Sequence, residues 1–142
     1  MKEPVWLQKE LVKAIHDRQL AEHGGGSGVR DEGLLESALA RPQQLFAYGG
    51  TDVDMPALAA ACAHGIARNH AFVDGNKRTA YVSCRTFLVI NGWDLVAPPE
   101  ERYAIFLAMA TGELSEEQFT EWLRRNTRPL DDRINEDPAS FR

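Results

Sequence analysis

A run of polar and charged residues between two predicted helices is the part of the sequence best suited to chemistry. It lies within HAFVDGNKRTA, residues 70–80, where Gly75 and Asn76 precede the adjacent cations Lys77 and Arg78. A helix is predicted to begin there, and the first amide groups of a helix are unpaired and lie at its positive end. Gly75 lets the backbone approach a ligand, and Asn76 can cap the helix or donate to a phosphate oxygen. The segment therefore predicts an anion site suited to phosphate groups.

Two further side chains in this segment add reactive groups to the predicted anion site. Asp74 supplies a carboxylate, which is expected where a magnesium ion bridges phosphates. His70 precedes it by one turn of chain, and a histidine can take a proton from an attacking hydroxyl at neutral pH. Phe72, which lies between them, is expected to plug into the core and fix the loop so that both polar residues point at the ligand.

The same residues also have a plain structural interpretation. Residues 74–76 can form a turn and helix cap, the two cations can be solvated, and His70 can be a structural histidine. Their joint occurrence at the start of one apolar helix favours a functional site. The remaining histidines stand alone in the sequence, and we interpret them as structural: His16, His23 and His64.

Local signals in the first part of the chain predict two helices ahead of this segment. Apolar residues at near-helical spacing predict a helix over residues 6–22, which the glycines of residues 24–26 end. Asp31 is expected to cap a second helix that runs through Arg41, because Pro42 cannot continue it.

Four more helices are predicted around and after the anion site. Asp54 opens an Ala-rich helix that breaks near His70, and its small residues permit neighbouring helices to approach closely. The next helix, residues 75–91, is apolar on most of its circumference and is expected at the centre of the fold. Proline and capping-box patterns predict two further helices over residues 98–110 and 115–125.

The fold class that follows is mostly α, a compact helical bundle with a small β-hairpin flap. Residues 45–54 carry aromatic residues before a Gly-Gly pair, which is typical of a hairpin. A short strand is predicted at residues 93–96. Residues 1–126 form the expected domain, and the charged, proline-bearing segment 127–142 is expected to be a flexible tail.

Composition narrows the classes of protein to which the chain can belong. The 142 residues are 44% hydrophobic and 26% charged, which is typical of one globular domain. The formal net charge of -5 disfavours direct binding to nucleic acid or to acidic membranes, and it argues against a nuclease toxin. Two isolated cysteines, Cys62 and Cys84, suggest buried thiols in a reducing compartment. We expect a cytoplasmic protein, because no apolar run is long enough to span a bilayer.

The segment HAFVDGNKR resembles the signature of the Fic/Doc superfamily, whose Fic branch reads His-x-Phe-x-Asp/Glu-Gly-Asn-Gly-Arg-x-x-Arg. The positions that agree are His70, Phe72, Asp74, Gly75, Asn76 and Arg78. Lys77 replaces the second glycine and Tyr81 replaces the last arginine. The Asn-Lys-Arg-Thr-Ala run looks like the death-on-curing (Doc) toxins, as do residues 25–42 and the NGW after the central helix. The likeness covers about residues 4–126.

The resemblance implies a helical Fic/Doc-like fold that uses ATP and Mg²⁺. Fic enzymes transfer AMP from ATP to a protein hydroxyl, whereas Doc moves the γ-phosphate to a threonine of elongation factor Tu. By resemblance, His70 is the general base, Asp74 binds magnesium and Arg78 completes the catalytic set. The residues implied to bind the nucleotide are Gly75, Asn76, Lys77 and Arg78.

The two departures from the Fic signature favour the kinase. Lys77 fills space that a glycine leaves open, and loss of the last arginine removes a phosphate clamp, so ATP can sit reversed with its γ-phosphate at His70. Arg85 lies about one helical turn past Tyr81 and is not expected to replace that clamp. Gly75 is the Fic residue where Doc has alanine, which leaves AMP transfer open as an alternative. An inactive protein-binding module is the third alternative.

The resemblance also implies a partner that controls the activity. Doc toxins are neutralised by the antitoxin Phd, whose disordered tail folds as a helix on the toxin. Some Fic proteins instead inhibit themselves through a Ser/Thr-x-x-x-Glu-Gly/Asn motif, and the spacing from Ser27 to Glu32 is one residue too long for it. Inhibition by a separate Phd-like antitoxin is therefore expected. The predicted flap around Tyr48 would position the target, whose extended backbone can pair with it by strand addition.

Overall fold

Helices form most of the computed structural model, which describes residues 1–130. The helices within these residues are α1 (Lys9–His23), α2 (Glu32–Tyr48), α3 (Met55–Asn69), α4 (Asn76–Ile90), α5 (Pro99–Thr111) and α6 (Glu116–Asn126). A 3₁₀ turn spans Gly50–Asp52, and two short strands, β1 (Trp93–Leu95) and β2 (Thr127–Pro129), pair in antiparallel orientation. The predicted mostly α fold class is confirmed, and its small β element is a two-stranded antiparallel sheet.

Helix α3 lies at the centre of the bundle and packs against α2, α4 and α6. Its alanines leave room for close neighbours: a Cβ added at Gly65 would lie 3.1 Å from the backbone of Ala38 on α2. The prediction that α4 is the central helix is therefore wrong. The last turn of α4 reaches the surface, where Val89 and Ile90 are exposed. Small side chains, rather than uniform apolar character, decide which helix can be surrounded on all sides.

Helix α2 continues past Pro42, so the prediction that it ends at Arg41 is wrong. Pro42 lies inside the helix and is buried. A proline in a helix interior costs about 3 kcal/mol, because it removes one backbone hydrogen bond and crowds the preceding turn. The helical conformation is retained because it lets Leu45 and Phe46 pack against the core, where the Phe46 ring meets Trp6 edge to face at 5.7 Å.

The small sheet does not lie in the segment where the hairpin flap was predicted. Residues 45–48 belong to α2, and the Gly50–Asp52 turn follows, with Tyr48 almost fully exposed. The sheet instead pairs β1 with β2, with Trp93 opposite Pro129. The strand predicted at residues 93–96 is thus confirmed, and its partner comes from the start of the predicted tail. The rest of that tail, residues 131–142, lies outside the described residues.

Side-chain caps fix the starts of three helices as predicted. Asp31 and Asp54 each accept a hydrogen bond of 3.0 Å from the backbone amide three residues on. Ser115 and Gln118 form both bonds of the capping box at the start of α6. Asp54 also pairs with Arg124 of α6 at 2.7 Å. Burial acts to raise the pKa of Asp54, but the hydrogen bonds from Arg124 and the helix amide outweigh it and hold the pKa below its ordinary range.

None of the helices in the described part of the chain has both the length and the apolar character needed to cross a bilayer.

Candidate active site

The loop between α3 and α4, residues 70–75, is held by the segment that precedes α2. His70 ends α3 in the left-handed conformation, with φ +52°, and its carbonyl accepts a hydrogen bond of 2.8 Å from the Arg30 side chain. The Ala71 carbonyl accepts from the backbone amides of Arg30 and Asp31, and the Val73 amide donates to Gly28. The resemblance noted for residues 25–42 therefore has a structural reason, because this segment fixes the backbone of the α3–α4 loop.

Asn76 has a different role from the one predicted. The prediction that its side chain caps α4 is wrong, because Gly75 is the N-cap residue with φ +79° and Asn76 is the first helical residue. The Asn76 side chain instead accepts from the Phe72 amide and donates to the Phe72 carbonyl, each at 3.0 Å. Only 9% of Asn76 is exposed, so this residue braces the loop from within.

Phe72 anchors the loop in the core, as predicted. It is 1% exposed, and its ring stacks on His16 of α1 with centroids 3.9 Å apart. The His16 ring nitrogen Nε2 lies 2.7 Å from the carbonyl oxygen of Asp74. Because a carbonyl can only accept, Nε2 carries the proton and donates it. His16 is structural, as predicted, but its place in the site could not be inferred from a lone histidine in the sequence.

Asp74 presents its carboxylate at the surface of the loop. One oxygen accepts a 2.8 Å hydrogen bond from the Gly75 amide, and the other lies 3.4 Å from the Gly26 amide. Gly25 packs so closely that an added Cβ would stand 2.6 Å from the Asp74 carboxylate. Glycine at this position therefore leaves room for the Asp74 carboxylate beside the Gly75 amide, just before α4 begins.

The α3–α4 loop and the start of α4 form one wall of a cleft of about 820 Å³. The predicted residues on this wall are His70, Asp74, Gly75, Asn76, Lys77 and Arg78. Apolar residues on α5, including Phe106 and Leu107, form a second wall. A cleft with a polar wall beside an apolar one is suited to a ligand that carries both charged groups and a ring.

The polar wall is locally cationic although the chain as a whole is acidic. Lys77 and Arg78 are both exposed, and neither forms a salt bridge within residues 1–130. The only side-chain hydrogen bond of Arg78 in that range is a long one, 3.4 Å, to the Gly24 carbonyl. Together with the amide groups of the first turn of α4, these cations give this wall a local positive charge.

Tyr81 extends this wall one turn along α4. Its ring packs edge to face on Phe106 at 4.9 Å, and the Arg85 guanidinium lies 5.9 Å from the ring centre on a cation–π contact. Arg85 is not among the residues that line the cleft. The position held by arginine in the Fic signature is thus an aromatic surface here, and no second arginine from α4 takes its place.

Three polar residues of the cleft were not found from the sequence: Gln19 and His23 on α1, and Tyr103 on α5. Gln19 and His23 follow His16 at spacings of three and seven residues, which places all three on one face of α1. That spacing is the signal that could have linked them. No local pattern distinguishes Tyr103 from other exposed residues of an amphipathic helix.

The two cysteines do not contribute a nucleophile. Cys62 and Cys84 are 1% and 0% exposed, and burial raises the pKa of the Cys62 thiol to about 12 and that of Cys84 well above its ordinary value. Both thiols therefore stay protonated and unreactive at neutral pH. The prediction of buried thiols is confirmed.

Comparison with known proteins identifies a family and relatives of this chain. A sequence profile described as the Fic/DOC family matches residues 6–88. The chain is 55% identical over 78 residues to the protein named Toxin Doc of Mycolicibacterium smegmatis. The matched stretch covers 52% of this chain and 57% of that protein. The chain is also 36% identical over 119 residues to the protein named Protein kinase doc of Escherichia phage P1. That match covers 84% of this chain and 93% of that protein.

Proposed function

The chain belongs to the Fic/DOC family, and from that membership we propose that it is a Doc-type toxin that phosphorylates a protein. The proposed reaction moves the γ-phosphate of ATP to a threonine hydroxyl of elongation factor Tu and so arrests translation. One observation carries the proposal: His70, Asp74, Lys77 and Arg78 line the same cleft at the start of α4.

His70 acts as the general base in this proposal. Its side chain is exposed in the cleft while its backbone is held by Arg30, so the imidazole can reach a hydroxyl that enters from solvent. The hydroxyl oxygen bonds to the γ-phosphorus as its proton passes to His70. The bond from that phosphorus to the bridging oxygen breaks, and ADP leaves with the bond's electron pair.

The phosphate groups are held by the first turn of α4. Lys77 and Arg78 supply two charges that no acidic side chain within residues 1–130 neutralises by a salt bridge, and the unpaired amides of this turn supply donors. The Asn76 side chain is engaged by Phe72. Its contribution to nucleotide binding is therefore through its backbone and through the shape of the loop.

Asp74 is the residue that would hold magnesium. Residues 1–130 contain no group of three or more histidine, cysteine or acidic side chains placed to bind a metal by themselves. A single exposed carboxylate fits a magnesium ion that arrives with the nucleotide, because Mg²⁺ usually binds one or two carboxylates plus substrate phosphates. When bound, the ion would neutralise charge on the phosphates.

AMP transfer is the alternative reaction, and Gly75 was the residue in its favour. Gly75 adopts φ +79°, a conformation in which a side chain is strained, while an added Cβ would meet its nearest atoms at an ordinary 3.7 Å. The backbone conformation alone thus explains a glycine here, whichever part of ATP is transferred. Lys77 and Tyr81 occupy the positions where the Fic signature has glycine and arginine, so the kinase is the reaction we favour.

The reaction is tested with ATP labelled at either the α- or the γ-phosphate, incubated with the protein, Mg²⁺ and elongation factor Tu. Transfer of the γ-label alone is expected. Transfer of the α-label would overturn the kinase in favour of AMP transfer. If neither label is transferred, calorimetry with Mg-ATP separates an enzyme with another target from an inactive binding module, which has no reason to bind nucleotide.

The proposed partner is a Phd-like antitoxin that inhibits the toxin in trans, and the proposed location is the cytoplasm, where elongation factor Tu works. Expression of the chain alone should arrest growth, and co-expression of a small neighbouring gene product should restore it. Harmless expression of the isolated, folded chain would count against a toxin.

A further inference from the structure

Among the mostly buried polar residues that line the cleft, one has a side chain that no described residue engages. Gln19 lies on α1 and lines the cleft together with Gly75, Lys77 and Arg78. It is only 8% exposed. Within residues 1–130 its carboxamide makes no hydrogen bond. The buried Asn76 amide and the buried His16 imidazole, in contrast, both bond to backbone groups of the α3–α4 loop.

A carboxamide has two N–H donors and an acceptor oxygen. Neither polar atom of Gln19 is among the fully buried, unpartnered side-chain atoms of residues 1–130, so the carboxamide is not sealed from the solvent of the cleft. His23, four residues on, is different: its side chain is half exposed and lies 3.9 Å from the Glu22 carboxylate. Gln19 is thus a mostly buried residue of the cleft whose carboxamide no described residue engages and a ligand can reach.

We propose that Gln19 is a nucleotide-binding residue whose carboxamide donates a hydrogen bond to a non-bridging phosphate oxygen. This inference rests on the proposed function, in which the cleft binds a nucleoside triphosphate. The phosphate end of the ligand is the relevant one, because Gln19 lines the cleft together with Lys77, Arg78 and the start of α4. A neutral donor adds to that cradle without repelling the two cations.

The test combines Mg-ATP titration calorimetry with thermal unfolding of the nucleotide-free protein, in wild type and Gln19→Met. Methionine keeps the length of the side chain but removes its donors. We expect the Kd for Mg-ATP to rise about tenfold, which corresponds to about 1.4 kcal/mol. The Tm without nucleotide should change little, because the carboxamide makes no hydrogen bond within residues 1–130 and is not sealed from solvent. Gln44→Met is the matched control on an exposed site of α2 and should change neither value.

The outcomes separate this inference from the proposed function. Binding of Mg-ATP by Gln19→Met within twofold of wild type would overturn the inference alone. A large fall in the Tm of Gln19→Met would also overturn it, because Gln19 would then have a partner inside the protein. Gln19→Glu provides a second variant: its carboxylate repels phosphate, so it should bind more weakly than Gln19→Met, and equal or tighter binding would refute the contact. Failure of the wild type to bind Mg-ATP would reject both proposals.

Discussion

Replacing His16 with phenylalanine removes one hydrogen bond from the site while keeping an aromatic ring in the core. In the wild type, Nε2 of His16 donates to the Asp74 carbonyl at 2.7 Å, and the ring stacks on Phe72. The phenylalanine ring can retain the stack, but it leaves the Asp74 carbonyl without this donor. The substitution therefore isolates the hydrogen bond between His16 of α1 and the loop that carries Asp74.

The expected effect on stability is small and the expected effect on activity is larger. One neutral hydrogen bond contributes about 0.5–1.5 kcal/mol, so the free energy of unfolding should fall by about 1 kcal/mol. Local opening of the α3–α4 loop should become about fivefold more frequent for the same reason. Because misplacing reacting groups by about 1 Å can cost about 100-fold in rate, we expect kcat for γ-phosphate transfer to fall about 10- to 100-fold.

His16→Gln is the matched variant, because its amide nitrogen can occupy nearly the position of Nε2 while the ring is lost. Amide hydrogen exchange of residues 72–78, thermal unfolding and kcat would be measured for both variants. His16→Gln should lose stability but keep most of its turnover. His16→Phe should keep its stability better but lose turnover and loop protection.

This reasoning would be refuted if folded His16→Phe retained kcat and loop protection within twofold of wild type. It would also fail if His16→Gln lost as much turnover as His16→Phe, because the ring stack rather than the hydrogen bond would then position the loop. The hydrogen-exchange comparison does not depend on which group of ATP is transferred. It therefore tests the structural role of His16 even if the proposed reaction is wrong.

Three further substitutions test other parts of the structure. His70→Gly should abolish label transfer yet raise the Tm, because glycine avoids the cost of about 1–2 kcal/mol that φ +52° imposes on histidine; a lower Tm would contradict this. Gly25→Ala should displace the Asp74 carboxylate and lower kcat by about tenfold or more, because misplacing a reacting group by about 1 Å can cost about 100-fold in rate. Gly28→Ala, also at positive φ but with nothing within 4 Å of the new Cβ, should not. Asp54→Asn should keep the helix cap, and the free energy of unfolding should fall by less than about 1 kcal/mol at pH 7 because the ion pair with Arg124 is lost. Because the fold lowers the pKa of Asp54, this loss should disappear in Tm measurements as the pH falls well below the ordinary value of 3.8; a difference that persists in acid would contradict the pairing.

Local sequence signals determined where most helices begin and which segment carries the candidate site. Asp31, Asp54 and Ser115 cap helices as predicted, because a cap is a contact over three residues and needs no tertiary partner. The polar segment at residues 70–78 could be recognised for a related reason. Its backbone amides, cations and carboxylate are adjacent in the chain, so the start of α4 brings them together without help from distant residues.

The tertiary structure alone decided what surrounds that segment. Pro42 continues a helix because packing of the following turn outweighs a local preference, and Thr127–Pro129 becomes a strand only because Trp93–Leu95 lies beside it. His16 and Gln19 enter the site from a helix more than fifty residues earlier in the chain. The physical reason is the same in each case: burial energy and long-range hydrogen bonds depend on which surfaces meet, and neighbours in the sequence do not specify that.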